Sequence, residues 1–156
     1  MIALAILAVA AHLTVAQPAT NAVCDVTQPN RNTPPAALVE KVGYNGGPAA
    51  LMHGNGTIWT GLWRDGIVLV TPKQVLPDGS LRMKFFWFLA ADGPLTVTGK
   101  RLDANAAALR TDIAAGFTGA GFQPSHLIFP TEGCWEITAT ANGSELTFVT
   151  RVAKAG

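Results

Sequence analysis

Hydrophobic and polar residues alternate with a period of two along much of the chain. In residues 81–90, Leu81, Met83, Phe85, Trp87 and Leu89 share one face, with Arg82 and Lys84 opposite and Phe86 and Phe88 continuing that side. The first half reads as a half-buried strand, and the second half as one buried on both sides. Residues 95–102 alternate again. Residues 134–141 and 145–152 flank Asn142-Gly143, a dipeptide that tolerates the positive φ angles of a two-residue hairpin turn. Residues 57–63 place Ile58, Thr60 and Leu62 on one side and Trp59 and Trp63 on the other. Asp65-Gly66 turns the chain, residues 67–71 return, and the two runs are expected to pair as a second hairpin. Shorter runs at 51–54 and 125–129 complete seven to eight strands with turn signals between them. That spacing predicts an all-β fold, an antiparallel two-sheet sandwich.

Other stretches are less regular. Residues 17–35 are polar and proline-bearing and read as an extended lead-in closed by Pro34-Pro35. Residues 36–44 are apolar but short; they fit helix or strand, and are read as a short irregular piece. Residues 103–115 are alanine-rich, which favours helix, yet a run this short must pack or remain loop. Residues 116–124 read as a glycine-rich connector. No fixed-period repeat and no internal linker divides residues 36–156, which are read as one sandwich domain.

Composition supports this outline. Sixteen glycines and ten prolines in 156 residues imply many turns. The chain is 49% hydrophobic and 13% charged, with a formal net charge of +1. Such a balance gives no electrostatic case for nucleic acid or an anionic membrane as partner. Residues 1–16 are apolar and end in Thr14-Val15-Ala16, which fits a signal peptide with a small residue at the cleavage point, although no Lys or Arg precedes the run. The competing reading is a buried first strand or helix. The expectation is a secreted or periplasmic protein with no membrane span in the mature chain.

Two cysteines remain after that cleavage, Cys24 and Cys134. An even count in an exported protein suggests a disulfide; two free buried thiols would fit a cytoplasmic chain. A bridge here closes a loop of over a hundred residues, for which the chain-entropy model gives at most about 4.7 kcal/mol.

Four motifs carry a resemblance: CDVTQPNRNTPP at 24–35, VLPDGSLRMKFFWF at 75–88, LTVTGKRLDA at 95–104 and GFQPSHLIFPTEGCWEIT at 121–138. Together they resemble an uncharacterised family of small secreted bacterial proteins. The resemblance implies an immunoglobulin-like β-sandwich and brings no catalytic residue with it. Cys134 sits where antibody domains carry the cysteine that ties their two sheets. Its partner here lies in the lead-in, which suggests an N-terminal clasp instead of an inter-sheet bridge.

The motifs of common chemistries are missing. The sequence holds no HExxH, CxxC, GxSxG or P-loop pattern. No cofactor or metal site is expected. Beyond the leader the histidines are His53 and His126, and a metal would need them to meet a carboxylate in space. Asp65, Asp78 and Asp92 precede glycines, so turns explain them. Asp103 and Asp112 are the least explained carboxylates. An enzyme would require two or more of His53, His126, Asp103 and Asp112 to converge in a pocket. The aromatics are the better lead. Core packing explains most tryptophans in a sandwich, but Trp59 and Trp63 share one face and could form an exposed platform, with Tyr44 and Arg64 close enough in sequence to join it. The expectation is a non-catalytic binding or envelope-associated module whose partner is a glycan or an envelope protein. A carbohydrate-binding module built on Trp59 and Trp63 is the main alternative, and a small extracytoplasmic hydrolase the next.

Overall fold

A computed structural model of the chain describes residues 24–43, 47–117 and 119–156. The expected signal peptide at 1–16, the first residues of the lead-in and Tyr44 lie outside the described residues. The described part is an all-β sandwich. It contains a short helix, α1 (Ala36–Val42), and nine strands: β1 (Met52–Gly54), β2 (Ile58–Gly61), β3 (Ile67–Val70), β4 (Leu81–Leu89), β5 (Thr96–Arg101), β6 (Arg110–Ile113), β7 (Gly121–Phe129), β8 (Gly133–Ala141) and β9 (Ser144–Lys154). One sheet has the order β1-β2-β4-β7-β6, the other β3-β9-β8-β5. Pairing is antiparallel except for β3 beside β9.

Alternation along the strands produces the core. Leu81, Phe85, Trp87 and Leu89 of β4 and Leu127 and Phe129 of β7 face Trp135, Ile137 and Ala139 of β8 and Leu146, Phe148 and Val152 of β9. A fully buried side chain of this size contributes roughly 1.5–3 kcal/mol. Polar groups inside this layer are satisfied. The Trp87 indole N–H donates to Ser125 Oγ at 3.0 Å, and that of Trp135 to the Thr131 carbonyl at 3.1 Å. The β8–β9 hairpin turns on Asn142 and Gly143, with φ of 51° and 74°, as a type I′ turn requires.

Two expectations are corrected and one open reading is decided. Residues 57–63 and 67–71 are not a hairpin: β2 and β3 belong to different sheets, and β3 runs parallel to β9. A 3₁₀ turn at Arg64–Gly66 carries the chain across, with Asp65 in the left-handed region at φ 58°. Residues 36–42 are helical. The alanine-rich stretch is loop up to Leu109 and then strand β6. Its N–H at Leu109 bonds the Gly99 carbonyl at 3.0 Å, and the Leu109 side chain fills the space above Gly99 that a Cβ would occupy. One docked leucine does not offset the cost of nucleating an isolated helix turn.

Strand β7 begins at Gly121, four residues before the expected strand, and therefore contains Pro124. The Pro124 carbonyl accepts the Ala114 N–H at 3.2 Å, so its missing donor faces the β6 side. There the last pair is Ile113 with Ser125, and no ladder bond is lost.

A second, smaller apolar layer lies on the outer face of the β1-containing sheet. Met52, Trp59 and Phe88 are buried there, with Leu38 of α1, Phe86 and Phe122 packed against them. The lead-in and α1 cover what would otherwise be an exposed tryptophan strand.

Cys24 and Cys134 form a disulfide with Cα atoms 5.4 Å apart. Removing this tie by Cys24→Ala with Cys134→Ala is expected to lower unfolding free energy by about 2–4 kcal/mol in denaturant titrations. Alkylation of the denatured chain without reductant is expected to add no label; a labelled thiol would contradict the bridge.

Candidate functional site

The lead-in positions the candidate site. Thr27 N–H bonds the Val149 carbonyl at 2.9 Å, and Val149 N–H bonds Thr27 Oγ1 at 2.8 Å, which attaches the segment to the free edge of β9. Three residues on it reaches the other sheet. The Asn30 side chain brackets Gly54, accepting its N–H at 3.1 Å and donating to its carbonyl at 2.7 Å. Arg31 N–H bonds the Met52 carbonyl at 2.9 Å. Asn32 Oδ1 accepts the Trp59 indole N–H at 2.9 Å. One extended segment thus spans both open edges on this side of the sandwich.

Where the lead-in passes over the β2–β3 crossover, a groove of about 350 Å³ opens. Gln28, Pro29 and Arg31 form one wall, Ala50 and Leu51 part of another, and Trp63, Arg64 and Asp65 the third. Its frame is held by main-chain bonds: Leu62 N–H to the Leu51 carbonyl at 2.8 Å, Leu51 N–H to Pro48 at 2.9 Å and Gly66 N–H to Trp63 at 3.1 Å. Gly66 sits directly under Val26 of the lead-in, where a Cβ would collide with the valine side chain. Three described non-glycine residues have positive φ: Arg31, Asp65 and Asn142. The hairpin turn explains Asn142; the other two both line the groove. Backbone held in the left-handed region at a ligand-sized concavity is a recurring feature of binding sites.

The groove joins two of the residues singled out from the sequence, Trp63 and Arg64. The expected Trp59–Trp63 platform does not form. Trp59 is 2% exposed and sits in the outer apolar layer. Trp63 packs on the main core, its ring stacked on Phe85 at a centroid distance of 4.7 Å. The alternation that placed the two indoles together stops at Gly61, where β2 ends and the chain leaves its sheet. Arg31, Gln28 and Asp65 were not singled out from sequence. Asp65 was absorbed by its turn signal, and Arg31 lies far from Trp63 along the chain. The bond between Cys24 and Cys134 is the sequence signal that brings the lead-in here at all.

The titratable groups are dispersed. His53 is buried beside the lead-in and accepts the Asn30 N–H through Nδ1 at 3.3 Å. Burial lowers its pKa from the ordinary 6.5. Asp103 is bound to Arg101 Nε at 2.6 Å, and that hydrogen bond holds its carboxyl below the usual range. His126 and Asp112 do meet, at 3.6 Å, with Arg82 Nη2 at 3.1 Å from His126 Nδ1. They lie in register on β7 and β6 on an open sheet face, where Asp112 is 61% exposed. Neither lines the groove. Among the described residues no group of three His, Cys, Asp or Glu side chains could hold a metal ion, and no helix is long and apolar enough to cross a membrane.

No protein-family model matches the sequence, and no curated protein does. Among solved structures the chain is similar to one described as a "Putative Lipoprotein from Bacillus anthracis", at 12% identity and a TM-score of 0.40, over 83% of this chain and 99% of that one. A likeness that distant carries no argument about function.

The His53 environment generates a pH dependence. A histidine whose folded pKa lies below its unfolded value binds its proton more readily in the unfolded chain. Its stabilising contribution is full above 6.5 and declines as pH falls through that value towards the lowered folded pKa. Thermal melts between about pH 8 and pH 5 are expected to show a larger loss for the native chain than for His53→Gln. Equal losses would remove His53 as the cause.

A steric test addresses Gly54 and Trp59. A Cβ on Gly54 would overlap the Trp59 indole. Gly54→Ala is expected to destabilise the fold by about 1–3 kcal/mol, read as a lower denaturation midpoint with unchanged slope. An unchanged midpoint would show that the indole has room to move.

Proposed function

We propose that this chain acts outside the cytoplasm as a non-catalytic binding module of the cell envelope, with the groove beneath the lead-in as its ligand site. The groove carries this reading. It is concave, framed by fixed main-chain bonds, and lined by an indole, two guanidinium groups and a carboxylate. Neither Arg31 nor Arg64 has an ion pair among the described residues, so both are available to a ligand. The disulfide supports an oxidising compartment.

The strand order supports an immunoglobulin-like sandwich. β2-β4-β7-β6 follows the order ABED, and β9-β8-β5 the order GFC. The bridge departs from that plan by joining β8 to the lead-in. A non-catalytic role is supported by the dispersal of His53, Asp103 and the Asp112–His126 pair, none of which lines the groove.

Co-sedimentation with isolated cell envelopes tests the proposal. The folded chain is expected to bind saturably. A variant carrying Arg31→Ala, Arg64→Ala and Trp63→Phe, with its fold checked by circular dichroism, is expected to bind at least about ten-fold more weakly. Equal sedimentation of the two proteins, or none by either, would refute the groove as the site.

A further inference from the structure

Resting on that reading, we infer that the groove recognises an acidic saccharide: a sugar ring carrying a carboxylate. Three features of the lining lead to this ligand class.

The first is charge. Arg31 and Arg64 supply two cations against the single carboxylate of Asp65. Guanidinium groups match carboxylates in a two-pronged geometry and form hydrogen bonds roughly twice as strong as neutral ones.

The second is the apolar surface. Trp63 is half-buried, with its ring seated on Phe85 and part of it open to the groove. Pro29, Pro48 and Leu51 add flat or aliphatic surface around it. Such a rim suits the C–H face of a pyranose. Asp65 and Gln28 offer acceptors, and Gln28 also a donor, for ring hydroxyls.

The third is a backbone already partly engaged. An acidic peptide adding as a strand would need unpaired main-chain groups along the groove. The N–H groups of Arg31 and Leu51 already bond the Met52 and Pro48 carbonyls, and the Leu51 and Trp63 carbonyls accept the N–H groups of Leu62 and Gly66. Fewer main-chain groups are left for an added strand, which favours recognition through side chains and a saccharide over a peptide.

Trp63 also makes the inference measurable. Trp59, Trp87 and Trp135 are each 2% exposed or less, so a ligand-induced change in tryptophan emission reports on Trp63. The folded full chain would be titrated with oligogalacturonate, its methyl ester, polyglutamate and sodium sulfate. The free acid is expected to give a saturable change. The ester, with the same ring and no charge, should bind at least about ten-fold more weakly. Arg31→Ala and Arg64→Ala should each weaken the free acid by about ten-fold, while Arg82→Ala, on the outer face of the β1-containing sheet and not part of the groove lining, should leave it unchanged.

Several results would overturn the inference. Equal binding of acid and ester would make the charge irrelevant. Sulfate or polyglutamate binding as tightly as the sugar acid would leave the ring unrecognised. An equal loss in Arg82→Ala would reduce the effect to overall charge. No binding of the free acid would also overturn it. In each case, envelope binding that still depends on Arg31, Arg64 and Trp63 would preserve the groove as a site while rejecting this ligand class.

Discussion

The attachment of the lead-in is the constraint on which the other features of this molecule depend. Two sheets packed face to face leave two open sides. On one side the chain closes the gap itself: the loop before β6 docks Leu109 on Gly99, and Thr111 Oγ1 reaches the Val97 carbonyl at 3.3 Å. On the other, twelve residues from Cys24 to Pro35 perform that task without forming a strand. They are fixed covalently at Cys134, by paired bonds at Val149, and by the Asn30 amide at Gly54. Asn30 is suited to this because its side chain carries a donor and an acceptor and can satisfy both main-chain groups of one edge residue. Without the segment, the β1 edge, the indole N–H of Trp59 and part of the β9 edge would all lose their partners.

This arrangement also explains the asymmetry of the two outer faces. The outer face of the β1-containing sheet carries Trp59, Phe86, Phe88 and Phe122, too much apolar surface to leave in water, and α1 with the lead-in shields part of it. The other sheet presents a row of threonines, Thr98, Thr138 and Thr147, in register across three strands. Side chains of that kind suit a solvated pleated surface and require no cover. Edge strand β3 exposes Ile67 and Leu69, but it is four residues long and ends before Pro72, which restricts further pairing.

The groove is a by-product of these same constraints. The crossover from β2 to β3 must leave one sheet and enter the other in few residues, so it bends sharply at Asp65. The lead-in must pass over that bend to travel from Cys134 to Gly54. A bend crossed by a strap leaves a hollow, and the side chains at the crossing fill its rim. Trp63 belongs to the core by its contact with Phe85 and to the groove by its remaining edge. It thereby couples the rigidity of the packed interior to the site.

Local pattern alone determined much of the fold. Period-two alternation located the long strands β4, β8 and β9 and their inward faces, because burial of one face imposes that period on the residues themselves. Asn142-Gly143 specified its turn, because few dipeptides tolerate two positive φ angles. Cysteine parity specified the bridge. What these signals could not decide is how separate segments meet. The partner of β3 is β9, over eighty residues distant at the Ile67–Arg151 pair, and a short apolar run looks the same whether it pairs with its neighbour or with the chain's end. Alternation placed Trp59 and Trp63 on one side only on the assumption that the strand continued; the change of sheet at Gly61 separated them. Trp63, Arg64, Arg31 and Asp65 became one site only through tertiary structure, since a groove between two segments depends on where the lead-in lies over the crossover, and no residue records that in its own local pattern.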